Sequence, residues 1–456
     1  MHLLRRTGIR LLALSLIWVV GVSGLSAVQE SRQASVEGLT YDLQHPNAER
    51  RKAAARTLGE NKVRSAVPAL IDATGDRNDG VRYEAVRALV NINDTRALGA
   101  YIKLTSDSKR KIRQKAIEGL IEVYVSGQEG FIAGVSGAVN TINPLADDFD
   151  PRVVESYVPV SADAVNALQR LLKDKNTAIR AKAALALGIL RARSALPAIQ
   201  EALRRESKHD VEVELIRAVF KIGDRSAGTS LIPLLKSGNK KVRDEAIFAL
   251  GRLRVREAAP ELEGFLDVQE RRKVFKVVPV SGKDDLQKRA LEALAHIGDP
   301  STKGLFINSL QDPRAQFRRY GAEGLGRIGE GSILNDVARA HLSEDSGEAK
   351  LAMSFALYRL GREEHLIELV ESLKSREQGY QYLLEMDSAE VSKLYPYLES
   401  ESGNKVRRRL LDVIGLRGNQ SALAEVRKVA ESAANDSEVL GAANRAIRRL
   451  QSRSGG

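Results

Sequence analysis

The stretch GVRYEAVRALVNIN, residues 80–93, decides the fold because close variants of it recur along the chain. KIRQKAIEGL begins at Lys111, AIRAKAALALGIL at Ala178 and KVRDEAIFALGRL at Lys241. The clear copies follow a period of about 31 residues, and a fixed period of roughly 20–50 residues is typical of chains in which each unit buries its apolar face against its neighbours. The pattern therefore predicts a solenoid.

Each copy carries the periodicity of a helix followed by a second helix. Val81, Ala85 and Leu89 lie four residues apart and share one helix face. A second apolar segment follows, such as ALPAIQEALR at Ala195, with its proline in the first turn, where the missing N–H costs no hydrogen bond. We predict an all-α protein: a right-handed α-solenoid of about eleven or twelve antiparallel helix pairs with two loop insertions. Glycines are predicted to end helices as left-handed caps at Gly59, Gly188, Gly223, Gly251, Gly298 and Gly361.

These repeats resemble the short HEAT repeats of bacterial proteins, including the class named after phycobilisome lyases. The resemblance covers nearly all of the chain after about residue 40 and implies a HEAT-like superhelix. It implies little about chemistry, because one fold serves many functions.

The N-terminus has the pattern of an export signal. Arg5 and Arg6 precede the apolar run Leu11 to Val22, and small residues follow up to Ala27. The apolar run is shorter than the ~20 residues that a spanning helix needs. We therefore expect a signal peptide at 1–27, export to a periplasm or cell envelope, and no stable membrane span after cleavage. The alternative is a membrane anchor formed by an uncleaved signal.

Two insertions interrupt the period, and insertions in solenoids form loops that often carry binding specificity. The first is acidic and aromatic, and the second is basic, with an alternation that suggests a β-hairpin or extended arm. Binding hot spots favour aromatic residues and arginine, so the expected partner contacts are Phe149, Tyr157, Arg271, Arg272 and Phe275. The expected organisation is a linker at 28–44, repeats at 45–125, 161–267 and 282–449, insertions at 126–160 and 268–281, and a flexible tail at 450–456.

An arginine near the start of each first helix could form a basic binding stripe or a structural ladder. The ladder is favoured because an aspartate precedes the arginine at a constant offset in four copies. Each aspartate is predicted to accept from its arginine and to cap the helix. The expected ladder comprises Asp76, Arg82, Asp107, Arg113, Asp174, Arg180, Arg243, Asp312 and Arg318.

No catalytic constellation is evident in the sequence. The chain has no cysteine, and its six histidines are scattered without metal-binding spacing. Iron-binding HEAT-repeat hydroxylases use His-Glu pairs, whereas here only the reversed Glu364-His365 occurs. We expect no catalytic residues, no metal and no cofactor.

The expected function is that of an exported, non-catalytic scaffold or adaptor. It would bind a protein or peptide on its concave face, lined by the second helices, and through its insertions. One alternative is a HEAT-like-repeat enzyme of lyase or hydroxylase type with an unrecognised ligand. The other is nucleic-acid binding through a basic groove, since the net charge is +12. Interleaved Glu and the export signal argue against nucleic acid.

Overall fold

The computed structural model describes residues 35–125, 150, 152–266, 283–399 and 403–453. Within these ranges every regular element is helical, as predicted. None of the described helices is long and apolar enough to cross a membrane. The chain divides into two compact units, residues 1–126 and 127–456. The signal at 1–27, Phe149, and the second insertion with Arg271, Arg272 and Phe275 lie outside the described residues.

The first unit alternates long and short helices. The long helices pack on one another in chain order, and each short helix packs on the long helix that follows it. Asn78 caps the second long helix by accepting from the backbone N–H groups of Gly80 and Val81. The helices are α1 Ala48–Glu60, α2 Val67–Ala73, α3 Asp79–Ile92, α4 Leu98–Leu104 and α5 Arg110–Val125.

The second unit continues the same alternation from α6 to α21. Its long helices form one layer and its short helices or 3₁₀ turns form the other. Between α9 and α10 the short α-helix is reduced to the single turn Arg225–Gly228, which a 3₁₀ helix at Thr229–Lys236 follows. Between α18 and α19 a 3₁₀ helix at Val391–Leu398 takes the place of the short α-helix. The helices are α6 Ala162–Leu171, α7 Thr177–Ile189, α8 Leu196–Arg205, α9 His209–Ile222, α10 Lys240–Arg252, α11 Ala259–Gly264, α12 Lys283–Ile297, α13 Lys303–Ser309, α14 Ala315–Ile328, α15 Leu334–Ser343, α16 Gly347–Arg359, α17 Leu366–Ser372, α18 Glu377–Leu383, α19 Asn404–Arg417, α20 Leu423–Ser432 and α21 Ser437–Ser452.

Glycines near the ends of the long helices have two different roles. Gly223, Gly298 and Gly361 have positive φ and end their helices as predicted. Gly59, Gly188 and Gly251 were expected to do the same, but they lie inside helices. A Cβ on Gly251 would stand 2.7 Å from the Cα of Ala293 on the next long helix. These glycines allow neighbouring long helices to approach closely, which is why an alanine faces each of them.

The arginine ladder pairs in a different register from the one predicted. Arg82 donates to Asp107 at 2.8 Å, in the following inter-repeat turn, and only to the backbone oxygen of Asp76. Arg51 reaches Asp76 at 2.6 Å in the same way. The side-chain caps at these turns are asparagines, namely Asn47, Asn78, Asn176 and Asn239, and the helix after Asp312 has no side-chain cap. Each described pair therefore joins two successive turns, which holds neighbouring repeats in register. Arg180 likewise pairs with Glu206 of the following turn rather than with Asp174, and Arg318 pairs with Glu344 rather than with Asp312. Arg113 donates to the backbone oxygen of Asp107, and Arg243 donates to that of Ser237.

Three predicted boundaries need correction. Residues 35–42, expected within a linker, are helical. The tail expected from 450 starts later, because Leu450 is fully buried on α21. The first insertion, expected to run to 160, rejoins the repeats earlier: the N–H of Val154 donates to the Ile189 oxygen at 2.8 Å, and Val154 is buried.

Candidate functional site

A cavity of about 680 Å³ opens on the long-helix layer of the second unit. It lies among α10, α12 and α14, with the starts of α16 and α18 at its edge. The second helices were expected to line the binding surface, but this cavity is lined by the first helices. The side chains that shape it are mainly charged, and they include Arg252, Lys288, Glu292, His296, Arg319, Glu323 and Arg327.

Lys288 and Arg319 lie inside their helices, whereas Arg252, His296 and Arg327 come from one recurring position at the end of a long helix. Each of these three lies two residues before the left-handed residue that ends its long helix, so successive repeats place them in a row. The left-handed residue is a glycine in most of these repeats and Arg254 after α10. The row consists of Lys221, Arg252, His296, Arg327 and Arg359.

Glu323 is the centre of the ionic network in the cavity. Its carboxylate pairs with Arg319 at 2.8 Å and Arg327 at 3.2 Å, one helical turn to either side. It also accepts from the Tyr382 hydroxyl at 2.6 Å. Burial acts to raise the pKa of Glu323, but the two arginine charges hold it at about 2. The carboxylate is therefore ionised throughout the neutral range.

Glu385, just after α18, ties distant repeats together. It pairs with Arg327 at 2.7 Å and with Arg254 at 2.5 Å. Arg327 also donates to the Ala295 backbone oxygen at 3.0 Å. Because these bonds consume its donors, Arg327 is fixed in place and supports the cavity wall.

Arg252 differs from Arg319 and Arg327, the neighbouring arginines that pair with carboxylates. Among the described residues, no carboxylate lies within ion-pair distance of its guanidinium, which stands 5.7 Å from the centre of the Phe248 ring. Burial lowers the pKa of Arg252 to about 10, and the charge of Glu292 opposes that shift. Arg252 is thus a protonated donor facing the cavity at neutral pH.

His296 forms part of the cavity wall as a neutral imidazole. Burial lowers its pKa well below the usual value, and four arginine charges lower it further. Lys288 adds an ammonium group that pairs with no carboxylate in the described part of the chain. The cavity can therefore bind an anionic group with Arg252 and Lys288 as charged donors and His296 as a neutral partner.

The partner contacts expected in the first insertion are only partly visible. Tyr157 is half-exposed and lies outside the charged cavity. Glu155, two residues before it, is buried and pairs with Arg449 of α21 at 2.7 Å. Arg449 is 2 % exposed and also reaches Asp412 at 3.1 Å. This end of the insertion therefore joins the core of the unit.

A second cluster lies on the short-helix layer and was missed by the sequence analysis. His341 on α15 and His365 and Glu368 at the start of α17 offer three ligand atoms that all lie within 4.8 Å of one another. The cluster contains no adjacent His-Glu pair, because its two histidines belong to successive repeats. The recurrence of histidine in neighbouring second helices was the available signal.

Comparison with known proteins agrees with the repeat architecture. The HEAT repeats family model matches residues 36–121 and 158–220, and the PBS lyase HEAT-like repeat model matches residues 242–267. Bilin biosynthesis protein PecE of Mastigocladus laminosus is 39% identical over 88 residues, 19% of this chain and 33% of that protein. PecE of Nostoc sp. (strain PCC 7120) is 36% identical over 88 residues, 19% of this chain and 35% of that protein. The chain thus spans about a third of the length of these curated relatives.

Two crystal structures of engineered proteins are also similar. One is 18% identical with a TM-score of 0.42, covering 91% of this chain and 98% of that chain. The other is 22% identical with a TM-score of 0.32, covering 48% of this chain and 98% of that chain. The family matches and the stacked helix pairs together identify the chain as a HEAT-repeat protein.

Proposed function

We propose that this protein is an exported, non-catalytic scaffold that binds a partner protein or peptide through the charged cavity of its second unit. The observation that carries the proposal is Arg252, whose guanidinium meets no carboxylate among the described residues, unlike Arg319 and Arg327 beside it. An acidic side chain or a chain-terminal carboxylate of the partner would enter the cavity and pair with it. Export rests on the N-terminal sequence pattern, and fractionation of the producing cell tests it separately.

The chemistry of the cavity favours a partner with few, well-placed acidic groups. Glu323 and Glu385 already neutralise Arg327 and Arg319. Among the described lining residues, the cations without a carboxylate partner are Arg252, Lys288 and, at the edge, Arg376, which donates to the Gly347 backbone oxygen. A polyanion would need an extended basic surface, whereas a single carboxylate needs one such donor pair. We therefore place a peptide ahead of nucleic acid.

Arg252→Gln is the direct test, and Arg339→Gln is its matched control. Arg339 is an exposed arginine on α15, outside the cavity, so both variants lose the same charge. The probe is a fluorescent set of short peptides containing one Asp or Glu, compared with the same peptides carrying Asn or Gln. Anisotropy should show that the acidic peptides bind and the amide peptides do not.

Losing one member of a buried charge pair costs about 2–5 kcal/mol, so Arg252→Gln should weaken acidic-peptide binding at least about 30-fold. Arg339→Gln should leave the affinity unchanged. Equal affinities of the two variants would remove the cavity from the proposal. Tighter binding of single-stranded DNA than of any acidic peptide would favour the nucleic-acid alternative.

The similarity to two bilin biosynthesis proteins favours a second candidate, the handling of a bilin. A bilin carries two carboxylates that Arg252 and Lys288 could receive. Biliverdin added to the purified protein would then give a shifted absorption band at one pigment per chain, sensitive to Arg252→Gln. An unshifted spectrum would eliminate this candidate.

A further inference from the structure

We propose that His341, His365 and Glu368 form a binding site for a divalent transition-metal ion of the zinc class on the short-helix face of the second unit. Two imidazoles and one carboxylate form a ligand set that such ions use in proteins. Hard cations such as Mg²⁺ prefer an all-oxygen site. The site is independent of the charged cavity, which opens on the long-helix layer.

The geometry is close to that of a tetrahedral site. His341 Nε2 lies 3.6 Å from Glu368 Oε2, and His365 Nδ1 lies 3.0 Å from Glu368 Oε1. Bonds of about 2.0–2.1 Å to a tetrahedral ion place ligand atoms about 3.3 Å apart. The two observed distances lie on either side of that value, and each involves a different oxygen of the Glu368 carboxylate. The remaining nitrogen–nitrogen separation is within 4.8 Å, so a small ring movement completes the set.

The groups around the cluster prepare it for a cation. Burial lowers the pKa of His341, which favours the neutral imidazole that binds metals. Burial also acts to raise the pKa of Glu368, but hydrogen bonds from Ser354 and His365 outweigh it and keep the carboxylate ionised. Ser354, fully buried on α16, donates to Glu368 Oε2 and so holds the carboxylate in its orientation.

The two imidazole rings are already in contact, in an edge-to-face arrangement. Their centroids are 5.1 Å apart at an interplanar angle of 73°. His341 comes from α15, whereas Glu368 lies on α17 beside His365, so an ion would join the short helices of two successive repeats. With three protein ligands, a fourth position stays open for water or a donor from a partner.

His209 and Glu212 provide a matched control within the chain. His209 Nδ1 lies 2.9 Å from Glu212 Oε2 at the same sequence spacing as His365 and Glu368. No second histidine joins this pair among the described residues. It reproduces the histidine–carboxylate contact without the third ligand, so His209→Gln should leave metal binding intact.

The test uses the full-length protein after EDTA treatment, with Zn²⁺ titrated by calorimetry and Co²⁺ by visible absorption. One Zn²⁺ per chain should bind, unaffected by excess Mg²⁺, and Co²⁺ should give the strong visible bands of a tetrahedral site. His341→Gln and His365→Gln should each weaken Zn²⁺ binding by about 100-fold or more, and Ser354→Ala by about 10–100-fold.

Circular dichroism establishes that each variant is folded, and Glu368→Gln replaces any histidine variant that is not. The proposal is overturned if the wild-type protein binds Zn²⁺ no more tightly than the His341→Gln variant does. It is equally overturned if His209→Gln reduces binding as much as His365→Gln. Loss of peptide binding in Arg252→Gln has no bearing on this result, so the two proposals fail separately.

Discussion

Replacing Glu323 with glutamine tests whether the buried ionic network holds the second unit together. Glu323 is 1 % exposed and lies between Arg319 and Arg327. Its pKa of about 2 in the folded protein compares with about 4.3 for an unfolded glutamate. A shift of about two units corresponds to about 3 kcal/mol of folding stability at neutral pH. Breaking a buried pair by removing one partner costs about 3–5 kcal/mol, so the two estimates agree.

The sign of the pH dependence follows from the depressed pKa of Glu323. The ionised carboxylate stabilises the fold above the unfolded pKa, and this contribution is lost as the pH falls towards 2. Glu323→Gln should therefore be less stable than wild type by about 3 kcal/mol at pH 7 but by only about 1.4 kcal/mol at pH 3. Glutamine keeps the shape and can still accept from Tyr382, which leaves the charge as the main difference.

Urea unfolding followed by circular dichroism at both pH values measures this effect. Long repeat arrays need not unfold in one step, so hydrogen exchange of the α14 peptide, which reports local opening, localises the loss. Glu348→Gln is the control: Glu348 is 61% exposed and meets Arg319 at 3.5 Å, where an ion pair contributes about 1 kcal/mol or less. Equal losses in the two variants, or a difference that does not shrink at pH 3, would refute the reasoning.

Three further changes test the packing of the repeats. Gly251→Ala should destabilise the protein by about 1–3 kcal/mol, because its Cβ would meet the next long helix. Gly238→Ala, with open space around it, should leave the melting temperature nearly unchanged. Tyr101→Phe should raise stability by about 1 kcal/mol in thermal unfolding, since the buried Tyr101 hydroxyl finds no hydrogen-bond partner in the described structure; a lower melting temperature would contradict this. Arg82→Gln should cost about 1.5–3 kcal/mol, because it leaves Asp107, which is 7% exposed, without its charged donor; hydrogen exchange of α3 and α5 measures the loss.

The helix pairs could be predicted because their signal is local and repeated. Apolar residues four apart, such as Val81 and Ala85, specify a helix face at each copy. Proline in the first turn marks the second helix at Pro68, Pro197 and Pro260, where the structure has it. Each signal is weak by itself, but because it recurs in many copies the sequence predicts stacked helix pairs.

The glycines and the ladder show where periodicity fails to decide. A glycine near a helix end suits either a left-handed cap or a close helix contact, and only the position of Ala293 shows which one Gly251 serves. Similarly, the sequence provides two possible ion-pair partners for Arg82, Asp76 in the turn before its own helix and Asp107 in the next turn. Because a periodic sequence repeats both aspartates in every copy, it cannot show which one the arginine pairs with. The spacing of the stacked helices decides that pairing.

The charged cavity was hidden for a related reason. The recurring arginines predicted a role for the start of each first helix, whereas the cavity lies mainly at the ends of these helices. Gly326-Arg327 lies within the glycine-rich stretch GLGRIGEG at the end of α14, a composition typical of a helix cap and turn. Its partner Glu385 lies in a weak copy of the repeat, where no pattern pointed to a role.

The helix-end position connects architecture with function. Two residues before the left-handed residue, α7 has Ile189, which is fully buried, while α10 and α14 have Arg252 and Arg327. The backbone conformation is the same at each of these helix ends, so the side chain alone decides whether the position is apolar and buried or places a charge at the cavity. Arg327 pairs with Glu385 and becomes part of the wall, whereas Arg252 has no such partner in the described part of the chain. Placing a second carboxylate opposite Arg252 would close the cavity in the same way, so the proposed binding would require that this repeat lack the acid that its neighbour has.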